Sequence, residues 1–196
     1  ELLQMMDFIK KRKDEQMMGG SYRRGKRKNK NLARQAATYL RKSDGPRVAV
    51  FEVNGFDTHA AQGGVDGTHT KCLVEMDEII NNLKDNLQEA YNDTIILTVT
   101  EFGRTVKQNG GNGTEHGYGT AIFMAGGLIK KSQVHTDWPG LKKKELYQGR
   151  DLNVTIDARS VYASAMSTVF DLDFKRIQKD VFWGEKLQNL SDKLLK

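Results

Sequence analysis

The chain of 196 residues contains one cysteine, two prolines and no long apolar run. A single cysteine, Cys72, excludes an internal disulfide framework and a cysteine-based zinc cluster. No segment approaches the roughly 18 apolar residues that a membrane-spanning helix requires, so no membrane span is predicted. With 38% hydrophobic and 29% charged residues, the composition is typical of a globular protein with a buried core.

Positive charge is concentrated in one short segment. The formal net charge is +6, and eleven Lys and Arg residues lie between Lys10 and Arg34 against only Asp14 and Glu15. Glycines, charges and the lack of an apolar period predict a mobile loop or arm over residues 10–30, followed by a helix at about 31–41. The segment offers few aromatic residues for stacking, so we interpret it as a solvated arm and expect no nucleic-acid partner.

The pattern after Pro46 predicts alternating strands and helices. The runs 48–53 and 94–100 have the length and the β-branched character of strands, and an amphipathic helix of about 20 residues lies between them. Such a βαβ unit should contain parallel strands. A third strand is predicted at 121–125, and Asp157 is predicted to cap a helix that runs to about Phe170.

These elements predict an α/β fold with three layers and a mostly parallel sheet. Three regions follow from this interpretation. Residues 1–44 are the basic arm and a helix, residues 45–185 are the α/β domain, and residues 186–196 are a tail.

Polar residues lie where the predicted strands would place a binding site. In parallel α/β sheets, ligands bind beyond the carboxyl ends of the strands, and the third strand would begin at the same edge if it ran antiparallel. Carboxylate oxygens and imidazole nitrogens suit Zn²⁺, Mn²⁺ or iron. Alternatively, the polar residues at this edge are ordinary turn, cap and hydrogen-bonding groups. The predicted metal ligands are Asp57, His59, Glu101 and His116.

Two further features lie close to these ligands in the sequence. Arg104 could clamp an oxyanion of a substrate or orient Glu101, and the second interpretation is favoured. Glu115 precedes His116 directly and is a candidate for the same supporting role. The glycine-rich stretch 109–113 has no Gly-Lys-Ser/Thr sequence, so it predicts a mobile flap rather than a phosphate-binding loop.

Three motifs follow one another along the chain. They are GFDTH at 55–59 with Gln62, TEFGRT at 100–105 with Asn109, and GTEHG at 113–117. These motifs resemble those of a family called domain of unknown function 1501, and the resemblance covers about residues 32–183. The family in turn resembles the alkaline phosphatase and sulfatase superfamily. The resemblance therefore implies an alkaline-phosphatase-like fold, of which this chain would form the C-terminal half.

The resemblance also implies roles for individual residues. The four predicted ligands match metal ligands of the superfamily, but Phe102 stands where the superfamily has a metal-binding histidine, so one metal ion at most is expected. Arg104, Glu115 and Asn109 would bind substrate or support the ligands. The superfamily nucleophile lies in the N-terminal half, so the missing half or a partner chain is expected to supply it. Full-length relatives commonly carry an export signal, which implies an envelope or exported location.

Two functions are compatible with these observations. The first is a hydrolase that uses zinc or manganese to act on a small phosphate or sulfate ester, inactive as this chain alone. The second is a non-catalytic binding or scaffold protein, which the phenylalanine at position 102 favours. Likeness of fold does not decide between them.

Overall fold

A computed structural model describes residues 22–196, with side chains from residue 29 onward. The expectations for residues 1–21 lie outside this range. Within it the chain forms five α-helices and two small antiparallel sheets of two strands each. The chain divides into two compact units. One contains the described residues up to Gly55 together with Lys71–Ala90, and the other contains Phe56–Thr70 and Tyr91–Lys196.

Helix α1 spans Tyr22–Leu40. It begins well before the predicted helix, so the prediction of a loop was wrong for residues 22–30. Ala33 and Ala37 are fully buried, and residues four positions apart lie on one face of a helix. The side chain of Asn29 also donates a hydrogen bond to the buried carboxylate of Glu75, at 2.8 Å.

Helix α2 spans Thr68–Leu87 and confirms the predicted amphipathic helix. Its buried residues recur at spacings of three and four, as expected for one helical face. Burial raises the pKa of the Cys72 thiol, and the nearby Glu75 carboxylate raises it further, so the reactive thiolate is disfavoured. The buried residues of the helix are Cys72, Glu75, Ile79, Leu83 and Leu87.

The predicted three-layer α/β fold with a mostly parallel sheet is wrong. Strand β1 (Ile96–Leu97) pairs antiparallel with β4 (Met124–Ala125), and the run 48–53 is not assigned to a strand. Val48 and Val50 are 42% and 75% exposed. β-branched residues favour a strand only where a neighbouring strand supplies hydrogen bonds and cover, and no strand is assigned beside this run within residues 22–196. The parallel arrangement implied by the alkaline phosphatase resemblance is therefore not formed.

A second antiparallel pair was not predicted. Strand β2 (Gly103–Arg104) pairs with β3 (His116–Gly117), and the register places Arg104 opposite His116. A Cβ atom on Gly117 would lie 2.6 Å from the carbonyl carbon of Arg104, so only glycine permits this close approach. The pair brings two of the motif segments side by side.

The hydrophobic core of the second unit is built by helices α3 (Ala158–Phe170) and α5 (Ser191–Leu194), with the β1–β4 pair against it. Segment 186–196, which we predicted to be a tail, supplies most of the buried cluster. Helix α4 (Phe174–Asp180) lies between the other two in the chain. None of the described helices is long and apolar enough to cross a membrane. The buried cluster consists of Val161, Leu190, Leu194 and Leu195.

The predicted cap of α3 is confirmed and can be tested. The Asp157 side chain accepts a hydrogen bond from the backbone N–H of Arg159 at 2.9 Å. Replacing a capping aspartate with alanine removes the acceptor, so Asp157→Ala should lower the free energy of unfolding by about 1 kcal/mol. Urea denaturation at neutral pH would measure this, with the exposed Asp137→Ala as the control that changes little.

The same variant has a pH dependence of defined sign. Hydrogen bonds from Arg159 hold the pKa of Asp157 below its usual value. A lowered pKa in the folded state contributes stability that is present above the unfolded-state pKa and is lost as the pH falls through the folded-state pKa. The stability difference between wild type and Asp157→Ala should therefore shrink in acid. A difference that is constant down to strongly acidic pH would contradict the charged cap.

Candidate metal centre

One carboxylate and two imidazoles converge in the second unit. Asp57 and His59 come from the loop that follows Gly55, and His116 begins strand β3. The distance from Asp57 Oδ1 is 3.0 Å to His59 Nε2 and 3.1 Å to His116 Nε2, and the two nitrogens lie 3.0 Å apart. We call these three atoms the ligand triangle. Their side chains are 54%, 45% and 49% exposed, so the triangle is open to solvent.

Glu101, the fourth predicted ligand, does not belong to this group. Across the described residues, the group of ligand atoms that approach one another contains only the three side chains of the triangle. The next residue, Phe102, lies beside the site instead. Its ring stacks on the ring of His116, with 3.7 Å between the ring centroids and 17° between the ring planes. The structure therefore brings together three of the four predicted ligands.

Glu115 fixes the orientation of the His59 ring. Its Oε2 atom lies 2.9 Å from His59 Nδ1. An ionised carboxylate can only accept a hydrogen bond, so the proton of the ring must lie on Nδ1. In a neutral ring the other nitrogen, Nε2, then carries a lone pair, and it is this nitrogen that belongs to the ligand triangle.

Asn109 connects Glu115 and His59 to the glycine-rich stretch. Its amide nitrogen donates to Glu115 Oε1 and, at 2.8 Å, to the carbonyl oxygen of His59. Its amide oxygen accepts from the backbone N–H groups of Gly111 and Gly113 at 2.9 and 3.0 Å. The stretch is therefore a hydrogen-bonded turn, and its mobility as a flap stays a prediction.

A second amide, that of Gln62, joins the loop of His59 to the segment that contains Glu115. We predicted no role for this residue. Its Oε1 atom accepts from the hydroxyls of Thr58 and Thr114 at 2.9 and 2.8 Å. Both threonines are buried, and the backbone N–H of Thr114 donates to the carbonyl of Thr58 at 3.1 Å. The only signal in the sequence was that Gln62 and these threonines occur within the motifs themselves.

Arg104 supports Asp57 rather than Glu101. Its guanidinium donates to Asp57 Oδ1 and to the carbonyl oxygen of Thr114, and its Nε donates to the Thr114 hydroxyl at 3.0 Å. The side chain is only 18% exposed. The favoured prediction, in which Arg104 orients Glu101, was therefore wrong. These contacts engage three of the five guanidinium N–H groups, so the alternative, in which Arg104 clamps a substrate, stays a prediction.

Comparison with known proteins assigns the chain to a family. A family model described as "Protein of unknown function (DUF1501)" matches residues 2–181. The chain belongs to the DUF1501 family. The resemblance of the motifs is thus confirmed at the level of the family, and every residue of the ligand triangle lies inside the matched part. Searches of curated proteins and of solved structures found no match for this DUF1501 chain.

Both carboxylates of the site are held in the ionised form. Desolvation raises the pKa of Asp57, but hydrogen bonds from Arg104 and His116 and the charges of the two imidazoles outweigh it and leave that pKa below its usual value. Hydrogen bonds from Asn109 and His59 lower the pKa of Glu115. With both imidazoles neutral, two carboxylates face one guanidinium, so the site favours an additional positive charge, either a proton on an imidazole or a bound cation.

The role of Asn109 can be tested by its effect on stability. Asn109→Ala removes four hydrogen bonds, one to the loop of His59 and three within residues 109–115, and each such bond contributes about 0.5–1.5 kcal/mol. We expect the free energy of unfolding to fall by about 1–3 kcal/mol, because water replaces part of the loss at this half-buried position. Urea denaturation would measure it, with the exposed neighbour Gln108→Ala as the control.

Asn109→Asp separates the two functions of the amide. The carboxylate keeps an acceptor for Gly111 and Gly113 but places a negative charge against Glu115. We expect a loss of stability that is larger at neutral pH than at acidic pH. Equal stability of wild type, Asn109→Ala and Asn109→Asp would show that the turn does not depend on this side chain.

Proposed function

We propose that this DUF1501 chain binds one divalent metal ion through Asp57, His59 and His116. The observation that supports this most directly is the 2.9 Å contact between Glu115 Oε2 and His59 Nδ1, from which we assign the ring proton. Because Glu115 requires that proton on Nδ1, a neutral ring presents the lone pair of Nε2 to Asp57 Oδ1 at 3.0 Å. Two lone pairs at this distance repel each other unless a cation, either a metal ion or a second proton, lies between them.

The dimensions of the ligand triangle support a metal ion. Its sides measure 3.0, 3.0 and 3.1 Å. Tetrahedral zinc with bonds of about 2.0–2.1 Å requires ligand atoms about 3.3 Å apart. An octahedral ion with bonds of about 2.1 Å places adjacent ligands about 3.0 Å apart. Manganese fits directly, and zinc requires the ligands to separate by about 0.3 Å, within the movement that side chains readily make.

The surroundings of the triangle resemble those of known metal sites. A metal-binding histidine usually donates its second ring N–H to a carboxylate, as His59 does to Glu115. The half-exposed side chains leave the outer positions of an ion to water or to a small ligand. A metal ion bound there would act as a Lewis acid on the oxygen atom of such a ligand.

The proposal predicts which variants lose the metal. Isothermal titration of metal-free protein with Mn²⁺ and with Zn²⁺ should give one site per chain. His116→Ala and Asp57→Asn each remove a ligand and should abolish binding over the range tested. Glu115→Gln should weaken binding about 10- to 100-fold, because it leaves the ligands intact but no longer holds His59 as strongly.

Glu101→Gln is the matched control, since Glu101 lies close in the sequence but outside the ligand triangle. It should bind both metals as the wild type does. A loss as large as that of His116→Ala would restore Glu101 to the ligand set. Failure of the wild type to bind either metal would refute the proposal itself.

We further propose that the chain binds its metal without hydrolysing phosphate or sulfate esters. The hydroxyl groups near the site support this. The Thr58 hydroxyl is buried and donates to Gln62 at 2.9 Å. The Thr105 hydroxyl donates to the carbonyl of Lys107 and accepts from the N–H of Glu115, both at 3.1 Å. A hydroxyl becomes a nucleophile through an adjacent base, a lowered pKa or coordination to a metal ion, and these contacts place no base beside either group.

An activity assay tests this second proposal. Protein supplied with Zn²⁺, Mn²⁺ or Mg²⁺ should turn over aryl phosphate and aryl sulfate esters no faster than the His116→Ala variant does. Turnover that disappears in His116→Ala would instead identify the chain as a hydrolase. In that case Thr58→Val would show whether the threonine hydroxyl or metal-activated water is the nucleophile.

A further inference from the structure

Two exposed tyrosines form a stacked pair close to the metal centre. The ring centroids of Tyr118 and Tyr147 lie 4.8 Å apart, with 23° between the planes. Tyr118 is 63% exposed and Tyr147 is 38% exposed, so the pair does not fill the core. One face of Tyr147 supports Tyr118, and the exposure of Tyr118 leaves ring surface available to a ligand.

Both tyrosines are carried by a constrained backbone. Tyr147 and Asp151 exchange two backbone hydrogen bonds of 2.9 and 3.1 Å, which close the turn between them. The N–H of Val106 donates to the carbonyl of Arg150 at 3.3 Å and so ties this turn to the segment after β2. A Cβ atom on Gly119 would lie 2.6 Å from the carbonyl oxygen of Leu152, so the chain beside Tyr118 packs closely on the same turn.

Tyr118 is close to a residue of the ligand triangle along the chain. It follows His116 by two residues, and two residues of chain span at most about 7 Å between Cα atoms. His116 itself stacks on Phe102 at 3.7 Å. One aromatic stack therefore includes a residue of the triangle, and the other begins two residues beyond it.

We propose that Tyr118, supported by Tyr147, is a ring-binding subsite of the metal centre, and that the ligand is a small aromatic oxyanion. Its anionic oxygen would occupy an open position of the metal ion while its aryl ring stacks on Tyr118. This inference rests on the proposed metal site. A metal ion selects an oxygen donor, and an exposed aromatic face on a residue whose Cα lies within about 7 Å of the Cα of His116 selects a flat apolar group.

Two matched ligands isolate the contribution of the ring. Phenylphosphonate and methylphosphonate carry the same metal-binding group, and only the first has an aryl ring. Titrated into the Mn²⁺-loaded full chain, phenylphosphonate should bind about threefold to tenfold more tightly, the size of an aromatic stacking contribution. Tyr118→Ala should reduce this preference to about one, and Tyr118→Phe should retain it because the ring remains.

Trp183→Ala is the control variant, since Trp183 is 89% exposed and lies far along the chain from the site. It should keep the phenyl preference of the wild type. Titration with Mn²⁺ alone separates the two proposals. If the metal does not bind, the metal centre and the subsite both fail. If the metal binds but phenyl has no advantage over methyl, or keeps its advantage in Tyr118→Ala, only the subsite is overturned.

Discussion

The amide of Asn109 holds the candidate site together. It binds the carboxylate of Glu115 and the backbone of His59 through its nitrogen, and it closes the glycine-rich turn through its oxygen. Glu115 in turn fixes the ring of His59. An amide can do this because it is both donor and acceptor, whereas a carboxylate or an ammonium group could do only half of it. The direction of the His59 ring in the proposed metal site therefore depends on a neutral side chain that would not itself bind the ion.

The charges of the site explain why a cation is expected there. Asp57 and Glu115 are held ionised, and Arg104 balances only one of them. The arginine is largely covered and engaged with Thr114, so it acts as a fixed charge behind Asp57. When both imidazoles are neutral, the remaining negative charge faces solvent through the ligand triangle. This arrangement attracts cations while the protein keeps its own basic group out of the opening.

The site is formed by loops that hydrogen-bond to one another, not by the edge of a parallel sheet. The short β2–β3 pair aligns Arg104 with His116, and side-chain bonds from Asn109 and Gln62 provide the remaining constraints. Membership of the DUF1501 family carries no activity with it, since the family model describes proteins of unknown function. The proposal of a binding site without ester hydrolysis therefore depends on local geometry, in particular on the engaged hydroxyls of Thr58 and Thr105.

The sequence by itself determined the features that local chemistry controls. The apolar period placed α2, the aspartate at position 157 placed the start of α3, and the motifs identified the family and three converging residues, Asp57, His59 and His116. Tertiary structure decided the strand partners, because a β-branched run shows strand propensity but does not specify which segment will supply its hydrogen bonds. For that reason the run 48–53 was predicted wrongly and the β2–β3 pair was missed. Tertiary structure also placed Arg104 against Asp57 and left Glu101 outside the ligand triangle. Residues that are neighbours in the sequence need not point to the same place once the chain has folded.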